Sequence, residues 1–109
     1  MKDRLLKIIN HYGIDNQQRK LEEEVFELQQ AITGYEIYKS NEYEIPLNIL
    51  IGNKKHMEEE IGDVENLLEE IILYYDLDRD NIYHNRTKKV DRQINRMESE
   101  KNDWWSIIK

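Results

Sequence analysis

A chain of 109 residues and 13.3 kDa has room for one hydrophobic core, which excludes a two-domain reading. Charged residues make up 36% and hydrophobic residues 39%, and four Gly with one Pro are too few to punctuate a β protein, so composition favours an all-α fold. Sixteen basic against 23 acidic residues leave a net charge of −7, which argues against a nucleic-acid polymer or an anionic membrane as partner. The absence of cysteine excludes disulfides, thiolate nucleophiles and Cys-based zinc sites.

In chain order, Leu5, Leu6, Ile8 and Ile9 form a short amphipathic opening that Gly13 closes, with Asp15 or Asn16 available to cap the next helix. Met1–Asn10 alternates charged with apolar residues, and no apolar run approaches the roughly 18 residues of a membrane span, so a soluble cytoplasmic protein is expected. From Asn16 to about Thr33, Leu21, Val25, Leu28 and Ile32 recur at i, i+4, i+7, i+11 as one helical stripe, and Gly34 is the expected stop.

Residues 35–53 are ambiguous. Tyr43, Ile45, Leu47, Ile49 and Ile51 alternate as in a strand, yet Pro46 interrupts them and no partner strand exists, so the segment reads as an irregular or short helical insertion. Lys54 to about Tyr75 is the clearest helix, with Met57, Ile61, Val64, Leu68, Ile71, Ile72 and Tyr75 in a wide apolar band. Asp80 is the expected cap of a last helix over about Asn81–Lys101, burying Tyr83, Val90, Ile94 and Met97, followed by a tail with Trp104, Trp105, Ile107 and Ile108. Residues 1–109 thus read as one small helical bundle whose thin core is completed by oligomerisation, as a homodimer or homotetramer.

Two acidic clusters lie on the two central helices, Glu22-Glu23-Glu24-Val25-Phe26-Glu27 and Glu58-Glu59-Glu60-Ile61-Gly62-Asp63. Residues three apart share a helix face, so Glu24 with Glu27 and Glu60 with Asp63 can each chelate a hard cation, and facing pairs would make a four-carboxylate site. On a helical wheel Glu60 falls at the edge of the apolar band, between Val64 and Leu67, where an unpartnered carboxylate is costly and a cation offsets the cost. Glu58, Glu65 and Glu69 fall on the outer side as solubilising charges.

Gln17-Gln18-Arg19-Lys20-Leu21-Glu22-Glu23-Glu24-Val25-Phe26-Glu27-Leu28, with Glu59-Glu60-Ile61-Gly62-Asp63-Val64, resembles the E-E-x-x-E … E-x-x-D signature of the MazG-like all-α nucleoside triphosphate pyrophosphohydrolases, especially the short, phage-type single-domain members. The resemblance spans about Ile14 to Met97. Thirty-two residues separate Glu27 from Glu60, longer than the usual family spacing, which makes 35–53 an insertion between the two metal-ligand helices.

The resemblance implies Mg²⁺-dependent cleavage of a nucleoside triphosphate between its α- and β-phosphates, with Mn²⁺ as an alternative ion. It implies Glu24, Glu27, Glu60 and Asp63 as the catalytic ligands, with Glu23 a weaker candidate for orienting water. Gln17 and Lys20 match a Q-x-x-K pattern resembling the family's and are expected at the substrate. Asn85, Lys89, Arg92 and Arg96 recur at i, i+4, i+7, i+11 as a basic row on the last helix; Asn85, Lys89 and Arg92 are expected to bind phosphate, across an oligomer interface.

Related activities on dUTP or phosphoribosyl-ATP, and a non-catalytic helical interaction module, are the competing readings. Asp76-Leu77-Asp78-Arg79-Asp80 begins like a calcium loop but has Asn81 at the glycine position and Thr87 in place of the bidentate Glu. His11, His56 and His84 read as isolated surface residues.

Overall fold

A computed structural model describes residues 1–41 and 45–108, with side chains described as far as Lys101. Tyr43 and the side chains of Trp104, Trp105, Ile107 and Ile108 lie outside the described residues. Among those described the architecture is all-α, with α1 (Lys2–Tyr12), α2 (Ile14–Ser40), α3 (Leu47–Tyr74) and α4 (Arg79–Ile108), and no strand. The chain divides into two compact units, one of residues 1–77 and one beginning at Asp78.

In the first unit α2 and α3 pack against each other and α1 packs on both. The pair is antiparallel, since Gln17 meets Glu70, Glu24 meets Asp63, and Gly34 shares a hollow with Asn53. Gly13 joins α1 to α2 at φ 86°, ψ 148°, a conformation closed to residues with a Cβ, and its N–H bonds to the carbonyl of Ile9 at 2.8 Å. Neither Asp15 nor Asn16 caps α2; the helix starts one residue earlier, at Ile14, and Asn16 Nδ2 instead donates to the Tyr12 carbonyl.

Gly34 does not stop α2. An isolated glycine costs a helix only about 1 kcal/mol relative to alanine, and the helix continues to Ser40, where Ser40 Oγ and Asn41 Nδ2 both donate to the Ile37 carbonyl. Pro46, at φ −58° and ψ 141°, leads directly into α3 at Leu47. Most of the expected insertion 35–53 therefore forms helical extensions, held together where Lys54 Nζ lies 5.7 Å from the centre of the Tyr35 ring.

The face that α2 turns to α3 differs from the apolar stripe. Gln17, Lys20, Glu24, Glu27, Ala31 and Gly34, spaced 3-4-3-4-3, line the same hollows as Asn53, His56, Glu60, Asp63, Leu67 and Glu70, spaced identically. Leu21 and Leu28 are half-buried while Val25, Ile32, Ile61 and Leu68 are exposed. Only Leu5, Ile9, Ala31 and Leu67 are buried apolar residues among those described, so the seam is polar and the core is small.

α3 ends in a Schellman motif: Asp76 takes the left-handed position at φ 51°, Leu77 N–H bonds to the Ile72 carbonyl at 3.0 Å and Asp76 N–H to that of Leu73. In the second unit Asp78, and not Asp80, caps α4, accepting from the Asn81 N–H through Oδ1 at 3.2 Å. Tyr83, Val90, Ile94 and Met97 are exposed rather than buried, because a helix cannot cover its own apolar stripe. No described helix is long and apolar enough to cross a membrane.

Candidate metal centre

The polar seam follows from the 3-4 spacing of short or charged residues, which places every seam position of α2 opposite one of α3. At its middle, Glu24 on α2 and Glu60 and Asp63 on α3 each bring a carboxyl oxygen within 4.8 Å of the others. Glu60 is only 8% exposed, Glu24 is half-buried, and Asp63 is open to solvent. Glu27, one turn along and exposed, is outside this trio but couples to Glu24 by charge and side-chain hydrogen bonding.

Glu24 bears the strain. Burial, then the negative charges of Glu27 and Asp63, then hydrogen bonding with Glu27 and Glu60 push its carboxyl from an ordinary 4.5 up to about 7. Glu24 Oε2 and Glu60 Oε2 are buried with no hydrogen-bond partner among the described residues. Two donor-poor carboxyl oxygens beside a third carboxylate are the environment that a hard cation relieves.

The carboxyl group of residues divides the seam into two hollows. One of about 260 Å³ is bounded by Leu5, Ile8, Gln17, Lys20, Glu24, Asp63, Asn66, Leu67 and Glu70. The other, about 350 Å³, is bounded by Glu27, Gln30, Ala31, Gly34, Asn53, His56 and Glu60.

No protein-family model, curated protein or solved structure matches this chain. The site is therefore read from its own chemistry.

Gln17 and Lys20 lie at the first hollow with Glu24 and Asp63. Asn85, Lys89 and Arg92 are exposed on α4, in the separate second unit. Glu58 and Glu65 are exposed as expected, whereas Glu69 is half-buried: it is adjacent to seam residue Glu70 and does not share the fully solvated face.

His56 is not isolated. Its Nε2 lies 3.9 Å from Glu60 Oε1 and its Nδ1 3.8 Å from Glu59 Oε2, contacts that i, i+4 and i, i+3 spacing on the helix could have signalled. Glu70 was likewise legible one heptad beyond Asp63. A pattern search for apolar stripes passes over such polar positions.

Proposed function

We propose that this chain is a divalent-cation-dependent nucleoside triphosphate pyrophosphohydrolase of the MazG-like all-α family, converting (d)NTP to (d)NMP and pyrophosphate. The observation that carries the reading is the convergence across α2 and α3 of Glu24, Glu60 and Asp63, two of them with buried oxygens that have no donor among the described residues. The resemblance of the two acidic motifs supplies the reaction; the acidic cluster alone would not.

The donor set fits the ion that this reaction uses. All-oxygen, anionic ligands suit Mg²⁺ or Mn²⁺ and not a thiophilic metal, and Glu24, Glu60 and Asp63 would hold it with Glu27 adjacent. Once bound, the ion supplies neutralisation of phosphate oxygens and a lowered pKa for the attacking water. The remaining work falls to the protein. Lys20, in the hollow beside Glu24 and Asp63, offers a positive charge to the phosphates, and the walls of the two hollows position the ends of the substrate.

Assembly follows from the same seam. Leu21, Val25, Leu28 and Ile32 each come one residue after a seam position of α2, and Ile61, Val64, Leu68 and Ile71 do the same on α3. In antiparallel helices these positions fall on one side of the pair, so the two stripes merge into one apolar face. Four buried apolar residues among those described make a small core, and a second copy placing the same face on this one gives a four-helix bundle. The working form is thus a homodimer or homotetramer, cytoplasmic, with Asn85, Lys89 and Arg92 available to phosphate from a neighbouring protomer.

The test is a panel of NTPs and dNTPs, including dUTP, and phosphoribosyl-ATP, incubated with Mg²⁺ and assayed for pyrophosphate. Release from at least one nucleotide, abolished by EDTA, is expected; no release from any of them sinks the proposal.

A further inference from the structure

The two most buried polar side chains of the first unit form a pair. Gln17 is 6% exposed and Glu70 is 3% exposed, and Gln17 Nε2 donates to Glu70 Oε1 at 2.8 Å across the α2–α3 seam. Neither belongs to the carboxyl trio, yet both line the hollow of about 260 Å³ that Glu24 and Asp63 also line. A buried acid–amide pair is less favourable in a core than an apolar pair of the same volume, so packing alone does not account for it.

We propose that this hollow is a nucleobase pocket and that Glu70 is a positioning residue that selects bases by their hydrogen-bonding edge. The inference rests on the pyrophosphohydrolase reading and names its substrate class: nucleotides whose base carries an exocyclic amino group at C4 of a pyrimidine or C6 of a purine, beside an unprotonated ring nitrogen, as in cytosine and adenine. The hydrogen bond to Glu70 turns the Gln17 amide nitrogen away and leaves its carbonyl oxygen as the side chain's free acceptor. Gln17 Oε1 and the second Glu70 oxygen therefore present acceptors, which suit an amino group and repel the carbonyl that uracil, thymine and guanine carry at that position. Asn66, at the same hollow, brings an amide donor for the ring nitrogen.

Size and walls agree. Ligand pockets that enclose a drug-sized molecule span about 300–1,000 Å³, so this smaller hollow suits one ring system and not a whole nucleotide. Leu5, Ile8 and Leu67 give that ring an apolar surface. Lys20, with Glu24 and Asp63 of the carboxyl trio, stands at the same hollow, where the phosphates and their cation belong.

The experiment compares kcat/KM of the full-length protein for dCTP and dATP with that for dUTP, dTTP and dGTP, then repeats the comparison with Glu70→Gln. The unaltered protein should favour the first pair by about tenfold or more, the discrimination a satisfied base edge commonly supplies. In E70Q, whose own amide can present a donor, the ratio should fall to within about threefold, chiefly through KM, while Mg²⁺ still raises its melting temperature. Equal use of all bases, a preference for uracil or guanine, or an unchanged ratio in folded E70Q overturns the proposal while leaving the pyrophosphohydrolase reading intact. Absence of any turnover by the unaltered protein overturns both. Should E70Q fail to fold, the base preference of the unaltered protein decides the matter.

Discussion

Glu24 and Asp63, contributed by different helices, bring carboxyl oxygens within 4.8 Å of each other in the middle of a helix–helix seam. Seams of this kind are ordinarily filled by leucine, and like charges at this range repel unless a proton or a cation intervenes. A proton on Glu24 relieves that repulsion, and under the proposed function a cation would take its place.

That exchange predicts a pH dependence of known sign. Glu24 has a folded-state value of about 7 against an ordinary 4.5, so the folded apoprotein binds the proton more tightly than the unfolded chain. Stability in EDTA should be greatest below pH 4.5 as far as this group is concerned, and should be lost as pH rises through 7. Mg²⁺ affinity should run the opposite way, rising through the same range as the proton is released. Melting curves at pH 5, 6, 7 and 8 with EDTA or Mg²⁺ test this, and Glu24→Gln should flatten both profiles. A metal-induced rise in melting temperature that is as large at pH 5 as at pH 8 would contradict it.

Glu60→Gln and Asp63→Asn should lower kcat/KM by at least about 100-fold, since the amide keeps the shape and removes the charge that holds the cation. Both variants should stay folded, because each relieves repulsion within the trio. Glu58→Gln and Glu65→Gln alter exposed carboxylates and should keep activity within about twofold, surface substitutions usually being worth under 0.5 kcal/mol. Circular dichroism and pyrophosphate release check all four. Equal losses in both pairs would mean that the trio is not the site.

The glycines separate backbone strain from packing. A Cβ added at Gly13 or at Gly52 would meet nothing within 4 Å, so neither substitution to alanine introduces a clash. Gly13 has φ 86°, and Gly13→Ala should cost about 1–3 kcal/mol through backbone strain alone. Gly52 lies inside α3, and Gly52→Ala should stabilise by about 0.5–1 kcal/mol. Thermal melts should therefore shift in opposite directions.

Helix number and the location of Glu24, Glu60 and Asp63 were legible in the sequence, because i, i+3 carboxylates and 3.6-residue periodicity are local features. The seam was harder to read. The stripe Leu21, Val25, Leu28, Ile32 has the periodicity of a core face, yet α2 meets α3 through the neighbouring row from Gln17 to Gly34. Choosing between adjacent rows requires knowing what covers each, which is tertiary information. Gly34 and Pro46 misled for a related reason: both are breakers by local propensity, but packing carries α2 past the first, and the second serves as the entrance to α3. His56 and Glu70 gave a signal only as seam positions, His56 four residues before Glu60 and Glu70 seven after Asp63.

The apolar face of α2 and α3 yields the last prediction. Ile32, Ile61 and Leu68 are each more than two-fifths exposed, and a contiguous exposed apolar face is a normal feature of an oligomer interface and an abnormal one of a free monomer. Light scattering at micromolar concentration should report at least twice 13.3 kDa. Ile61→Glu and Leu68→Glu place a charge on that face without touching the carboxyl trio, and each should shift the protein toward monomer and lower its melting temperature. If Lys89 and Arg92 reach phosphate from the neighbouring protomer, the monomeric variants should also lose turnover at fixed Mg²⁺. A wild-type monomer with full activity would remove both the interface and the inter-subunit role of that basic row, leaving Lys20 as the phosphate-binding cation within the site.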